Sequence, residues 1–416
     1  MRLIVQKYGG TSVGSPERIR NVARRLLETQ REGCKVVAVI SAMAGVTDEL
    51  IKLARETSPE PAERELDALL ATGEQAAIAL TAMAVNALGG KAVSLTGAEA
   101  GILTDRAHTR AKIANISPKQ IYELLADDYI VVVAGFQGQN ADGETTTLGR
   151  GGSDLTAIAL AGALNADACE IFTDVDGVFT CDPRVVPGAR KIDEVAYDEL
   201  LEMAGAGSKV MQSRAVEFAK KFGIEFQVRS SLNPGPGTIA KEETANMEDV
   251  VIRGVSLDRN QAKLTIDDVR DEPGIAGRIF SEIARDNIVV DMIVQSVSKH
   301  GTTDISFTIH ENDLEAAKAL LAPIVTEVEA AGLLTTKGVA KLSVVGIGMR
   351  SHSGVAARLF DCLGKGGINI QLISTSEIKI AVIIDGKDAD RAAQLLHEEF
   401  GLARFTPSRS ATVADE

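Results

Sequence analysis

The sequence predicts an α/β domain on a mostly parallel sheet, followed by two smaller ferredoxin-like βαββαβ units. Three observations predict it. Continuous apolar strands alternate with helical stretches through the first half of the chain. The pattern breaks after Arg229 at a strong turn. The second half then repeats itself.

Leu3-Ile4-Val5 opens the chain as a short apolar strand. Pro16 suits a first helical turn and Ser15 before it suits the N-cap, which predicts a helix to about Arg31. Val36–Ile40, Ile130–Ala134 and Ala168–Phe172 read as strands buried on both faces. Glu63–Leu88 and Asp154–Leu164 read as helices between them. Asn233-Pro234-Gly235-Pro236-Gly237 is the turn signal, and polar residues follow, so a boundary is expected near residue 245. Beyond it, Gly274-Ile275-Ala276-Gly277-Arg278-Ile279-Phe280 recurs 80 residues later as Gly354-Val355-Ala356-Ala357-Arg358-Leu359-Phe360. Lys263–Ile266 recurs as Lys341–Val344, and each copy reads strand, helix, strand, strand, helix. The second copy ends in helix Ala389–Phe400 without a final strand, while strand Val250–Leu257 has no place in the first. The early strand is therefore expected to complete the second unit, one unit being inserted in the other. The tail from Phe405 is expected to fray.

The chain has 416 residues, 45% hydrophobic and 25% charged, with 44 basic against 58 acidic side chains, a net charge of −14. That excludes a disordered chain and a broad nucleic-acid surface, but not a local anion site. None of the four cysteines lies in a C-x-x-C pair, so buried reduced thiols are expected, with no metal site. No apolar run of about 18 residues and no signal-peptide pattern occurs, so neither a membrane nor an export route is expected, and the cytoplasm is.

Lys7-Tyr8-Gly9-Gly10-Thr11-Ser12 follows the first strand. Its glycines let backbone amides approach a phosphate, and its lysine can neutralise one, although the Gly-Lys-Ser/Thr ending of a Walker loop is missing. Gly149-Arg150-Gly151-Gly152-Ser153-Asp154 opens an apolar helix, whose dipole favours anions, with Arg150 as a planar fork. Thr173-Asp174-Val175-Asp176-Gly177 follows a third strand, where parallel sheets gather ligands. Lys209 lies in a further glycine-rich segment, Gly205–Lys209. Taken singly, each segment is equally a turn or a helix cap; together they point to an anionic ligand. None of the five histidines falls in these loops, so no histidine-activated nucleophile is implied. Phosphoryl transfer to a carboxylate fits, because that acceptor is already ionised at neutral pH.

At this point the chain resembles the aspartate kinases of the amino-acid kinase superfamily, to about residue 402. The resemblance rests on KYGGTSV at Lys7–Val13, SAMAGVTDEL at Ser41–Leu50, TGE at Thr72–Glu74, TLGRGGSD at Thr147–Asp154 and TDVDGVFTCDPR at Thr173–Arg184, with no departure in the motif residues. It implies a kinase domain over residues 1–245, ACT domains over 246–335 and 336–403, and a tail, 404–416. It implies ATP-dependent phosphorylation of the L-aspartate side chain, the first step toward lysine, threonine and methionine, with magnesium arriving on the nucleotide. Lys7 and Lys209 would neutralise the transferring phosphoryl group, and Asp174 would hold both lysines. Ser41, Thr47, Gly151, Gly152, Ser153 and Asp154 would shape the substrate pocket, with Arg150 on a substrate carboxylate and Glu74 on its ammonium. Tyr8, Gly9, Gly10, Ser12, Thr173, Phe179, Asp182, Arg184 and Val210 would meet ATP.

The resemblance further implies amino-acid effectors, lysine and threonine together, between the ACT units. Asp271, Gly274, Ala276, Val289, Val290, Asp291 and Gln295 of the first are candidates, and Val355, Ala356, Asn369, Ile370, Ser376 and Glu377 of the second. Each is equally a packing or turn position. A homo-oligomer through the ACT units is expected, and some relatives make the half beginning near Met247 as a separate regulatory subunit. Rival readings are a kinase of glutamate, acetylglutamate or UMP, and a non-catalytic amino-acid sensor. No dinucleotide-binding domain follows residue 416, so a fused homoserine dehydrogenase is not expected.

Overall fold

The structure, a computed structural model, describes residues 1–149, 151–205, 211–242, 251–286, 288–296, 301–350, 352 and 354–403. They fall into two compact units. The first holds residues 1–178, 191–204 and 211–242, and the second holds Phe179–Arg190 and the described residues from 251 onward.

The elements that carry the first unit are, in chain order, β1 (Leu3–Tyr8), α1 (Pro16–Arg31), β2 (Lys35–Ile40), α2 (Val46–Thr57), α3 (Glu63–Ala87), β3 (Ala92–Leu95), β4 (Ile130–Ala134), α4 (Gly152–Ala163), β5 (Ala168–Thr173), β6 (Glu194–Ala196), α5 (Ser213–Phe222), β7 (Phe226–Ser230) and β8 (Thr238–Lys241). One sheet runs β6-β8-β7-β5-β1-β2-β4-β3, parallel except where β7 meets β8. The central strands are mostly apolar because helices cover both faces, with Gln6 and Glu170 paired with each other inside the sheet. Ser15 caps α1 through its hydroxyl, which accepts from the Arg18 amide, with Pro16 at the first helical position. A second, small sheet of Ile102–Thr104, Ile113–Ile116, Gln137–Gln139 and Thr145–Thr147 was not legible in the sequence. Thr-Thr-Thr and Gln-Gly-Gln carry no apolar alternation to announce it.

Register decides where ligands gather. Tyr8 lies level with Ile40 on one side and Phe172 on the other, and Ile40 lies level with Ala134. The carboxyl ends of β1, β2, β4 and β5 therefore open together, and the loops after them start at one height.

Helix α3 is long and apolar enough to cross a membrane by length and composition. Its buried face carries Asp67 and Glu74, and it packs on α1 and the sheet, as a core helix does.

The second unit holds β9 (Gly254–Arg270), α6 (Ile275–Arg285), β10 (Val290–Gln295), β11 (Thr302–His310), α7 (Leu314–Glu327), β12 (Gly332–Val345), α8 (Val355–Lys365), β13 (Ile370–Thr375), β14 (Lys379–Asp385) and α9 (Ala389–Glu399). Its sheet runs β10-β11-β9-β12-β14-β13. The expected early strand and the first strand of copy one are fused into β9. Residues Gly254–Asp258 pair with Val345–Lys341, the opening strand of copy two, while Lys263–Asp267 pair with Thr336–Gly332. Both copies start their helix on a left-handed glycine, Gly274 (φ 98°) and Gly354 (φ 95°). Among the described residues, one core forms around Leu264, Ile279 and Phe307, another around Leu342, Leu359 and Leu396, and a smaller cluster joins Met292, Val339, Leu372, Ala381 and Ile383. Phe179–Arg190 joins the second core through Cys181 and Val186. The expected boundary near 245, Met247 and the tail lie outside the described residues. The cysteines are free; Cys34, Cys169 and Cys181 are buried and Cys362 half-buried.

Candidate active site

Sequence dictates how the loops at the carboxyl edge are tied. The Gly9 amide donates to Phe172 O (3.2 Å), the Ser41 amide to Tyr8 O (3.1 Å) and the Gly135 amide to Ile40 O (3.0 Å). The loop after β1 touches the loop after β2 so closely that a Cβ on Gly10 would lie 2.7 Å from Ala42 O. Gly45 and Gly151, both left-handed (φ 85° and 70°), start α2 and α4 at the same edge.

These ties enclose a cavity of about 650 Å³ in the first unit. Of the residues expected in a substrate pocket, Ser41, Thr47, Glu74, Gly151, Gly152, Ser153 and Asp154 line it, and so does Lys7, expected at the phosphoryl group. Asp48 and Arg55 of α2 also line it, with Thr109, Phe136 and Thr147. The sequence reading passed these over. Asp48 stood inside a quoted motif, and Arg55 lies two helical turns on along the same face; nothing local marks Thr109 or Phe136.

Two charges dominate the cavity. Lys7 Nζ lies 2.6 Å from Asp154 Oδ1, a close ion pair without good hydrogen-bond alignment. Asp154 reaches it from the first turn of α4. Glu74 is the second charge. Its Oε1 accepts from the Ala42 amide (3.1 Å), while its Oε2 is buried and has no hydrogen-bond partner among the described residues. Burial pushes the Glu74 carboxyl up to about 7, and the Ala42 amide only partly offsets this. A buried carboxylate oxygen without a donor is the feature a ligand's cation would complete. Ser12 Oγ, after β1, is likewise buried and without a partner among the described residues.

The side chain of Tyr8 and the partner of Lys7 differ from expectation. Tyr8 does not present its side chain to a nucleotide: its ring stacks on Phe172 (4.8 Å between centroids) in the core, and its hydroxyl donates to Gln6 Oε1. The odd positions of β1 face one side of the sheet and Tyr8 the other. The carboxylate on Lys7 is Asp154, not Asp174. Asp174, at the end of β5, accepts from its neighbour Thr173 Oγ1 (3.2 Å). Phe179, Asp182 and Arg184 belong to the second unit, where the Arg184 guanidinium holds the Asp182 carboxyl below the ordinary aspartate range. Arg150, Lys209 and Val210 lie outside the described residues.

Among the effector candidates, Val355 is buried in the second core, a packing position. Ala276 and Val290 pack against the first core. Asp291 is ion-paired with the buried Lys341. Ser376 turns a hairpin, its amide donating to Lys379 O (2.8 Å) and its hydroxyl accepting from Ile378. Asp271, Gln295, Asn369 and Glu377 are exposed, as is Val289, at 76%. Ala356 and Ile370 lie half-buried beside the second core.

The amino acid kinase family model matches residues 2–230, and an ACT domain model matches residues 267–322 and 342–400. An aspartate kinase of Pseudomonas fluorescens (strain SBW25) is 51% identical over 97% of this chain and 98% of its own. The structure is similar to that of E. coli aspartokinase III in complex with aspartate and ADP, its R-state, at 27% identity with a TM-score of 0.80, over 95% of this chain and 99% of that one. The same enzyme in complex with lysine and aspartate, its T-state, aligns with a TM-score of 0.76 at 28% identity, over 96% and 99%. The two family models and these relatives together span nearly the whole length, and the chain belongs to the aspartokinases of the amino acid kinase family.

Proposed function

We propose that the chain transfers the γ-phosphoryl group of MgATP to the side-chain carboxylate of L-aspartate, with the amino acid held in the 650 Å³ cavity. The observation that carries this is Glu74: one buried oxygen without a partner among the described residues, in the same cavity as Lys7. An α-ammonium group supplies the missing donors and the positive charge. Ser41, Thr47 and Ser153 offer hydroxyls to the rest of the substrate, and Arg150 a fork for a carboxylate.

The chemistry then needs little from the protein beyond placement and charge. The ionised side-chain carboxylate attacks Pγ, an O–P bond forms, and the bond from Pγ to the β–γ bridging oxygen breaks. ADP leaves with that electron pair, and no proton moves. Lys7 rests on Asp154 until the phosphoryl group arrives, then shares its charge with it; Lys209 is the proposed second cation. Gly10 and Ser12 offer an amide and a hydroxyl to the phosphates, Gly9 leaves room for their close approach, and Asp174 and Thr173 offer the end of β5. Magnesium enters as part of the nucleotide substrate, with the phosphates as its ligands.

Lysine and threonine are the proposed effectors of the second unit, acting together by coupling to the kinase reaction. Homo-oligomerisation through that unit is proposed on its edge strands β10 and β13, which expose Ile293 and Ile373. The reading places the enzyme in the cytoplasm. ADP release with L-aspartate and MgATP tests it, with and without lysine plus threonine. Turnover suppressed by the pair is expected. Turnover on glutamate instead of aspartate would overturn the substrate, and turnover that the pair leaves unchanged would overturn the effectors.

A further inference from the structure

Asp67 lies on α3 seven residues before Glu74, about 10 Å along the same helical face. Its carboxylate is fully buried. An ionised group there is tolerated only if its oxygens are satisfied, and these are. Both accept from the Thr109 amide at 3.0 Å, Oδ2 lies 2.8 Å from His108 Nδ1, and Oδ1 accepts from the Thr147 hydroxyl. Two of the three donor residues, Thr109 and Thr147, line the cavity.

The segment held this way is under strain. Thr109 adopts φ 63°, which a β-branched residue rarely does, so surrounding contacts must fix it. Its carbonyl lies 3.2 Å from where a Cβ on Gly149 would stand, so the turn also meets the loop that leads into α4. Arg214 braces the far side, donating to Ala111 O (2.7 Å) and Leu148 O (2.6 Å). His108 is wedged between carboxylates, with Nε2 3.6 Å from Glu144 Oε2, and Glu144 is held in turn by Asn140 and Arg64. A carboxylate serving the fold alone has no need to spend its bonds on two residues of the cavity wall.

We propose that Asp67 is a positioning residue for the amino-acid pocket. It pins the Asp105–Lys112 segment and the end of Thr145–Thr147 onto α3, so that one helix face both binds the ammonium through Glu74 and fixes the part of the cavity wall that Thr109 and Thr147 form. This rests on the reading of the cavity as the aspartate pocket.

Steady-state kinetics of the full chain separate the two. Asp67→Ala is expected to raise the aspartate KM about tenfold or more, with kcat within about threefold and the MgATP KM unmoved. Asp67→Asn keeps one acceptor for the Thr109 amide and should recover part of the loss. His108→Ala removes one donor without touching the cavity lining, and should raise the aspartate KM about threefold; it serves if Asp67→Ala does not fold. A purely structural role lowers the yield or the melting temperature and leaves the aspartate KM of the surviving enzyme at the wild-type value; that result would overturn the proposal. Glu74→Gln is the reference. If Glu74→Gln raises the aspartate KM and the Asp67 and His108 variants do not, the positioning role fails alone. If none of them moves it, the pocket itself has been misread.

Discussion

At the scale of single residues, Glu74 sets the behaviour that is easiest to measure. Its carboxyl titrates at about 7 in the folded protein, against 4.5 for the free side chain, because burial disfavours the charged form. Substrate ammonium favours that charged form, so aspartate binding releases a proton near neutrality. kcat/KM for aspartate, which reports the free enzyme, should rise with pH to a midpoint of about 7 and then level off. Glu74→Gln should lose the rising limb and show an aspartate KM raised by at least about tenfold at pH 8. The stability sign is the reverse of an ordinary salt-bridged carboxylate. Between pH 4.5 and 7 the folded state holds a proton that the unfolded state has lost, so the wild type loses stability relative to Glu74→Gln as pH rises through this window. A wild-type profile flat from pH 5.5 to 8.5 would show that Glu74 is not the ammonium partner. Lys7, Ser41, Thr47, Ser153 and Asp154 were legible in the sequence because each belongs to a motif at the end of a strand or the start of a helix, whereas Glu74, in the middle of α3, was legible only through the Thr72–Glu74 motif of the family resemblance. Thr109 was not, since its left-handed turn is imposed by Asp67, which is 42 residues away.

At the scale of elements, the strands were legible because the sheet is buried on both faces and writes itself as unbroken apolar runs. The short polar strands of the small sheet, and the fusion of two expected strands into β9, depend on partners far along the chain. The glycines at the carboxyl edge show how elements make a site. Gly10 lets the loop after β1 lie against the backbone of the loop after β2, and nothing there can yield to a methyl group 2.7 Å from a carbonyl oxygen. Gly10→Ala should cost about 1–3 kcal/mol in denaturant unfolding and lower kcat/KM for both substrates, because it spreads the phosphate loop from the substrate loop. Gly33 is the control. It has φ 84° with nothing within 4 Å of a Cβ, so Gly33→Ala should cost about 1–2 kcal/mol from the backbone alone and leave the kinetics at wild-type values. Wild-type kinetics in Gly10→Ala would mean that the close approach serves packing only.

At the scale of the whole molecule, the chain order hides how the units are built. The motif Thr173–Arg184 reads as one piece in the sequence, yet the units divide it between Val178 and Phe179. Strand β5 and its loop stay in the first unit. Thr180 donates its hydroxyl to, or accepts from, His397 Nε2 of α9 at 2.9 Å in the interior of the second, and the Val255 amide of β9 donates to Thr180 O at 2.8 Å. No periodicity in a sequence announces that a dozen residues leave the domain they are written in. The Thr180–His397 contact makes this placement testable. Burial lowers the His397 pKa below its ordinary 6.5, so the folded chain keeps the imidazole neutral while the unfolded chain protonates it. The unfolded state then binds more protons as pH falls below about 6.5, and the stabilisation present above that value is lost progressively until the folded pKa is passed. The difference in unfolding free energy between the wild type and His397→Gln, which keeps a polar side chain for Thr180 but carries no titratable ring, should therefore shrink from pH 7.5 to pH 5. A difference that stays constant over that range would place His397 in water at both ends, and with it would remove Phe179–Arg190 from the interior of the second unit.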